Sequence, residues 1–326
     1  MIILSVLIIA GFAALIFGAT WLVNGASALA KKYNVSSLII GLTIVSFGTS
    51  APELVVNSVA SFNGYSDIIL GNIIGSNNFN LFITLGITGL IYPMRVQFST
   101  VWKEIPISFV AALLLLLLAN NFFFDQTTGI STLDGVILLI SFAAFLFYVF
   151  KQMKSGAEPV EAIVLKPMSS FKIWGLIIFG LTGLIIGGQL VVDNGVQLAT
   201  RLGVSEKIIG LTIIAIGTSL PELLTSVVAA TKKNTGIAIG NIIGSNIFNI
   251  FLILSVSALI SPIQYNVNFN TDLYILLGGT LFLFAIMFIG RKYRLDRWGA
   301  ALLLISYIAY TTYLIWLELP HQTVNL

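Results

Sequence analysis

The chain reads as long apolar runs separated by short gaps that carry nearly all of its charge. Ile68 to Met94, Ile105 to Phe124, Gly135 to Phe150 and Ile173 to Val192 contain no charged residue, nor do Asn234 to Thr271, Leu273 to Gly290 and Gly299 to Leu317. Two further runs hold a single acid each: Glu53 between Tyr33 and Ser66, and Glu222 between Ile208 and Thr231. About 20 apolar residues cross the hydrocarbon core of a bilayer. The pattern therefore predicts ten spans, near 2–30, 37–61, 67–91, 104–120, 132–152, 171–199, 205–231, 236–260, 272–290 and 297–318. Lipid offers the backbone no hydrogen-bonding partner, so these spans are expected to be helices. No basic region precedes the first, which reads as a retained helix rather than a cleaved leader.

Loop charge sets an expected orientation. Counting alternate loops, one side collects Lys31, Lys32, Arg95, Lys103, Lys151, Lys154, Lys166, Lys172, Lys232, Lys233, Arg291, Lys292, Arg294 and Arg297, and the other only Arg201 and Lys207. The positive-inside rule puts the first group in the cytoplasm and both termini outside the cell membrane. The paired basic clusters read as topology anchors, with anionic-lipid binding as a weaker option.

Composition agrees with the pattern. Only 9% of the 326 residues are charged and 57% are apolar, against about 25% charged in soluble domains. A net charge of +3, spread over small clusters, leaves no stripe for nucleic acid. Cysteine is absent and His321 is the only histidine, which excludes thiol nucleophiles, disulfides, Cys/His metal sites and a buried Ser-His catalyst.

The sequence also repeats. Shifted by 169 residues, IIGLTIVSFGTSAPELVVNSVAS (39–61) lies over IIGLTIIAIGTSLPELLTSVVAA (208–230) with 14 of 23 positions identical, and GNIIGSNNFN (71–80) over GNIIGSNIFN (240–249) with 9 of 10. Five predicted helices lie in residues 1–152 and five in 171–326, joined by a short cytoplasmic link at 153–170. An odd number per half makes the two copies enter the membrane from opposite sides, the inverted repeat of secondary transporters. The best preserved positions are Gly, Thr, Ser, Pro, Glu and Asn, the residues that are costly to keep in lipid.

Spacing then suggests chemistry. Ser46, Thr49, Ser50 and Glu53 fall at i, i+3, i+4 and i+7, on one helix face. Pro52 lacks an N–H and its ring collides with the carbonyl of Gly48, so the helix is expected to break between Gly48 and Ala51 and free main-chain oxygens. Gly217, Thr218, Ser219, Pro221 and Glu222 repeat the arrangement. Irregular backbone at membrane depth is tolerated only where it lines a cavity, so both breaks are expected near the midplane. Asn72, Ser76 and Asn80 share a face, as do Asn241, Ser245 and Asn249, and read equally as ligands or as interhelical hydrogen bonds.

The two glutamates narrow the class. An acid at the bilayer centre costs on the order of 2.5–3.5 kcal/mol, and no Lys or Arg stands beside either one. Protons or bound cations must compensate them, and only a cation accounts for the surrounding hydroxyls and carbonyls. An all-oxygen site suits hard ions. Two carboxylates neutralise one Ca²⁺ or hold two or more Na⁺.

GTSAPEL with GNIIGSN in one half and GTSLPEL with GNIIGSN in the other resemble the paired alpha repeats of the Ca²⁺/cation antiporter superfamily, most closely its prokaryotic sodium/calcium exchangers. The resemblance implies an all-α membrane protein of ten helices, with helices 2, 3, 7 and 8 broken around a midplane ion site. It further implies that Glu53 and Glu222 bind Ca²⁺ with the carbonyls of Thr49 and Thr218. Sodium sites would use the same two carboxylates with Ser50, Ser76, Ser219 and Ser245 and the carbonyls of Ser46 and Ala215. The first and sixth helices would move to alternate access, with no cofactor or protein partner required. Asn249, where potassium-dependent relatives have Asp, argues against K⁺ co-transport, and Thr49 and Thr218 favour Na⁺ over H⁺. The link is too short for a large Ca²⁺-sensing domain.

Other classes fit less well. Both acids in the predicted breaks are Glu, which argues against an intramembrane aspartyl protease. A cation channel could use the same ligands but usually needs several subunits. A proton/calcium antiporter of the same fold is the nearest competitor. Asp193 reads as a solvated helix end or, less simply, as a cation-attracting outer mouth.

Overall fold

In the computed structural model the described residues are 2–121, 128–154, 168–202 and 215–318. They form helices α1 (Ile2–Tyr33), α2 (Ser37–Thr49), α3 (Ala51–Phe62), α4 (Ser66–Ile91), α5 (Thr100–Ala119), α6 (Thr132–Lys154), α7 (Ser170–Arg201), α8 (Ala215–Thr218), α9 (Leu220–Thr231), α10 (Thr235–Ile260), α11 (Asn270–Ile286) and α12 (Arg297–Glu318). Among the described residues seven helices are long and apolar enough to cross a bilayer, and the bent pair α2–α3 makes an eighth. The chain is a multi-pass membrane protein. The start of the expected 205–231 span, most of the 153–170 link, and Lys166, Lys207 and His321 lie outside the described residues.

Two long helices, α1 and α7, pack against each other more extensively than any other pair. Glycine permits it: a Cβ on Gly11 would sit 2.9 Å from the Gly187 carbonyl oxygen, and one on Gly18 2.8 Å from that of Gly180. These are matched pairs, because Gly180 and Gly187 are the 169-residue mates of Gly11 and Gly18. Both helices leave large apolar side chains exposed, such as Ile9, Phe17, Ile178 and Phe179, as lipid-facing helices do.

At the centre stand α10 and α4. Every residue from Thr235 to Phe248 is buried. Both helices were expected to break, and neither does. Each runs on through a π-turn, at Phe79–Thr84 and Asn249–Ile253. Neither segment contains proline, so an extra residue is absorbed by one wide turn with the helix intact.

The predicted break after the first motif is present and can be placed. Ser50, with φ −85° and ψ 7°, separates α2 from α3, which are bent by 46°. Ser219, with φ −91° and ψ 3°, separates α8 from α9 in the same way. In each copy Pro lies in the first turn of the following helix, where its missing N–H goes unnoticed.

Short strands, not expected from the pattern, cross-link the halves. β1 (Met94–Arg95) pairs antiparallel with β4 (Arg294–Leu295), and β2 (Gly129–Ile130) with β3 (Ile263–Gln264). Tyrosine–carboxyl hydrogen bonds brace the outer helices, Tyr148 to Glu104 between α6 and α5 and Tyr310 to Asp272 between α12 and α11. Lys232, at the end of α9, donates to Asn24 Oδ1 (2.7 Å) and the Thr20 carbonyl (3.3 Å) of α1. Its burial holds the ammonium below its ordinary pKa.

Candidate ion-binding site

Where the two breaks meet, the repeated polar residues converge. Glu53 and Glu222 are each 1% exposed and lie within each other's electrostatic reach. Ser50 donates to Glu222 Oε1 at 2.8 Å, and Ser245 approaches the same oxygen at 3.4 Å. The other carboxylate oxygen of each acid, Oε2, is buried with no hydrogen-bond partner among the described residues. Buried carboxylate oxygens without partners are acceptors that a cation or a proton would satisfy.

The hydroxyls come in symmetric pairs. Ser50 Oγ lies 3.0 Å from Ser245 Oγ, and Ser219 Oγ lies 3.0 Å from Ser76 Oγ. Since 219 is 50 plus 169 and 245 is 76 plus 169, each contact is the image of the other. The break of one half is thus stitched to the central helix of the opposite half. All four serines are buried.

Amides frame the carboxylates. Asn241 donates to the Glu222 carbonyl (3.2 Å) and Ser226 (3.0 Å) while its Oδ1 accepts from Thr49 (3.0 Å). The Thr49 hydroxyl also lies 3.3 Å from the Ser46 carbonyl, which accepts the Ser50 N–H at 3.0 Å. Asn72 stands 3.4 Å from Ser76, Asn249 donates to Asn77 Oδ1 (3.0 Å), and Asn80 is buried with neither side-chain atom hydrogen-bonded among the described residues. Ala215 and Thr218 fall in α8, and the Thr218 hydroxyl likewise has no such partner. Asp193 is exposed on α7 and outside this cluster.

Three contributors were not anticipated. Asn77 and Asn246, mates in the sequence repeat, exchange amide-to-carbonyl bonds of 3.3 Å, and Asn57 donates to the Glu53 carbonyl at 2.7 Å. Asn77 and Asn246 are the last residues of the two GNIIGSN copies, so their preservation was visible. Asn77→Ala strips one acceptor from the Asn249 amide and one donor from the Asn246 carbonyl. It is expected to cost about 1–2 kcal/mol, the upper range for interhelical polar contacts in membranes, read as a lowered unfolding temperature in detergent.

Among the described residues no three His, Cys, Asp or Glu side chains cluster as a metal cage. A cation here would be held by two carboxylates and neutral oxygens, the chemistry of Na⁺ and Ca²⁺ rather than of softer metals.

A buried carboxylate pair where two broken helices meet is the kind of site found in ion carriers of the secondary-transporter class. Comparison with known proteins gives the family. Residues 3–151 and 172–316 match the family described as sodium/calcium exchanger protein. The sodium/calcium exchanger MaX1 of Methanosarcina acetivorans is 28% identical over 95% of this chain and 98% of its own. The inner membrane protein YrbG of Escherichia coli is 32% identical over 98% of each chain. A solved structure of the sodium-calcium exchanger NCX_Mj soaked with Na⁺ and Sr²⁺ superposes with a TM-score of 0.82 at 31% identity, covering 95% of this chain and 98% of that one. The chain therefore belongs to the sodium/calcium exchanger family, among the prokaryotic exchangers of the Ca²⁺/cation antiporter superfamily. That is a family of cation/Ca²⁺ antiporters, not of enzymes.

Proposed function

We propose that the protein exchanges Na⁺ for Ca²⁺ across the cell membrane by alternating access. The observation that carries this reading is the pair of buried carboxylates, each with an oxygen lacking a hydrogen-bond partner among the described residues, flanked by two symmetric serine pairs. One Ca²⁺ uses both carboxylates with the carbonyls of Thr49 and Thr218. Sodium ions use the same carboxylates with Ser50, Ser245, Ser76, Ser219 and the carbonyls of Ser46 and Ala215. Because the sites overlap, the cations compete, and the empty carboxylate pair opposes switching of the unloaded carrier. Transport is then coupled.

Ten crossings in two inverted five-helix halves, 1–152 and 171–326 with the link at 153–170, complete the proposal. It is supported by the way β1 and β3, mates at a shift of 169, pair with different partners, and by the reciprocal bonds of Asn77 and Asn246. Loop charge supports both termini outside.

The test is ⁴⁵Ca²⁺ uptake into proteoliposomes loaded with Na⁺ and diluted into Na⁺-free buffer. Uptake is expected to require the Na⁺ gradient. Uptake driven equally by a pH gradient without Na⁺ would reassign the coupling ion to H⁺ and retire the sodium sites.

A further inference from the structure

Away from the ion centre, the link between α4 and α5 meets the link between α11 and α12. There, beside the first residue of α10, a cavity of about 350 Å³ is lined by Arg95, Arg291, Lys292, Arg294, Tyr92 and Thr235. Small-molecule sites span roughly 300–1,000 Å³. The cavity lies on the face that loop charge assigns to the cytoplasm.

Its charge is unbalanced. Four cations line it, and the ion pair found among them in the described residues is Arg294 to Asp296, at 2.9 Å. Nearby Arg297 is turned to the Leu90 carbonyl at 3.1 Å. Strand register sharpens the imbalance: Arg95 and Arg294 are direct partners in the β1–β4 ladder. Like charges placed opposite each other across strands destabilise the pairing, yet this two-residue ladder is the stitch between the halves here, and its companions Met94 and Leu295 are buried. A positional anchor for topology needs basic residues near the interface, but not two arginines face to face on a concave wall. An anion between them would turn repulsion into attraction, and guanidinium groups match phosphate oxygens in bidentate geometry.

We propose that this cavity is a binding site for a phosphate-bearing polyanion, held by Arg95, Arg291, Lys292 and Arg294. The phosphate is carried either by a soluble polyphosphate or by an anionic phospholipid headgroup. The bound group ties the two halves together at the start of the helix that holds Asn241 and Ser245.

Two arms test it with the purified full chain. In the first, inorganic tripolyphosphate is titrated calorimetrically onto protein in neutral detergent. In the second, the unfolding temperature is followed as phosphatidic acid replaces phosphatidylcholine in mixed micelles. Arg95→Gln and Lys292→Gln, both at exposed side chains, are each expected to weaken binding about tenfold, the loss of one charge-assisted bond. Lys172→Gln, a cation outside the cavity, is expected to leave binding unchanged. Saturable tripolyphosphate binding sensitive to Arg95 identifies a soluble ligand, and stabilisation by phosphatidic acid alone with the same sensitivity identifies a headgroup. Absence of both, or binding that Lys172→Gln weakens as much as Arg95→Gln does, overturns the proposal. Both readouts are independent of which cations the carrier exchanges.

Discussion

Na⁺-driven Ca²⁺ uptake is expected to fall at least about a hundredfold in Glu53→Gln and in Glu222→Gln. Removing one member of a buried charge set costs about 3–5 kcal/mol, and a dication keeps only half its neutralising charge when either carboxylate becomes an amide. The unloaded protein should respond in the opposite direction. With no cation bound, two carboxylates that are each 1% exposed repel each other, so neutralising one relieves strain. The unfolding temperature of each variant without Na⁺ or Ca²⁺ should therefore equal or exceed that of wild type. Added Ca²⁺ should raise it for wild type only, because a ligand stabilises a protein in proportion to its preference for the folded state. Variants that lose uptake and are also less stable without ions would mean that the glutamates serve packing, and the ion site would have to be sought elsewhere.

The two variants should differ in one respect. Glu222 Oε1 accepts from Ser50 at 2.8 Å and has Ser245 at 3.4 Å, whereas Glu53 Oε2 has no hydrogen-bond partner among the described residues. A glutamine at 222 keeps the bond that Ser50 donates only by turning its carbonyl toward it, which orients its amide into the site, while one at 53 has no such constraint.

Much of this centre was legible from residue type and spacing. The Gly-Thr-Ser-x-Pro-Glu copies predicted a break, and the helix does stop at Ser50 and Ser219, because proline denies the preceding turn a donor and the serines cap nothing. The breaks that the family resemblance implies for α4 and α10 are absent, because a π-turn admits an irregularity with every residue still helical, and no local pattern announces it. Strands β1 to β4 were invisible because two residues have no period to detect. Asn77 and Asn246 were missed for a different reason. The spacing of four that groups Asn72, Ser76 and Asn80 on one face passes over the seventh motif position, which instead bonds its mate in the other copy.

What two nearly identical sequence copies cannot encode is which one is clamped in a given state. Here the copies differ. A Cβ on Gly240 of α10 would meet the Leu38 carbonyl oxygen of α2 at 2.5 Å, and one on Gly244 would meet Ser46 Oγ at 2.7 Å. Among the described residues their mates in α4 meet less: at Gly71 the nearest described atom is 3.8 Å away, on Phe269, and at Gly75 nothing described lies within 4 Å, while residues 207–214, the mates of the α2 segment that crowds Gly240, lie outside the described residues. Thr49 is likewise bonded to Asn241, whereas its mate Thr218 has no hydrogen-bond partner among the described residues. In this state α2 is therefore closed on α10.

On the proposed inverted repeat, alternating access would exchange the roles of the copies, which makes Gly240→Ala and Gly71→Ala an unequal pair. The methyl at 240 collides with backbone in the state seen here and should lower the unfolding temperature by several degrees, as overpacking costs about 1–3 kcal/mol. The methyl at 71 meets no described atom closer than 3.8 Å and is expected to leave stability unchanged. Where the second copy closes as the first does here, Gly71 takes the position that Gly240 holds now, and the same methyl obstructs it. Gly71→Ala should then slow exchange about tenfold or more, since about 1.4 kcal/mol against one of two alternating states is a factor of ten in its population. Measured side by side, Gly240→Ala should lose both stability and transport, and Gly71→Ala transport alone. Full exchange activity in Gly71→Ala would show that α4 never closes as α10 does, and the symmetric exchange of roles would have to be abandoned in favour of a motion confined to one half.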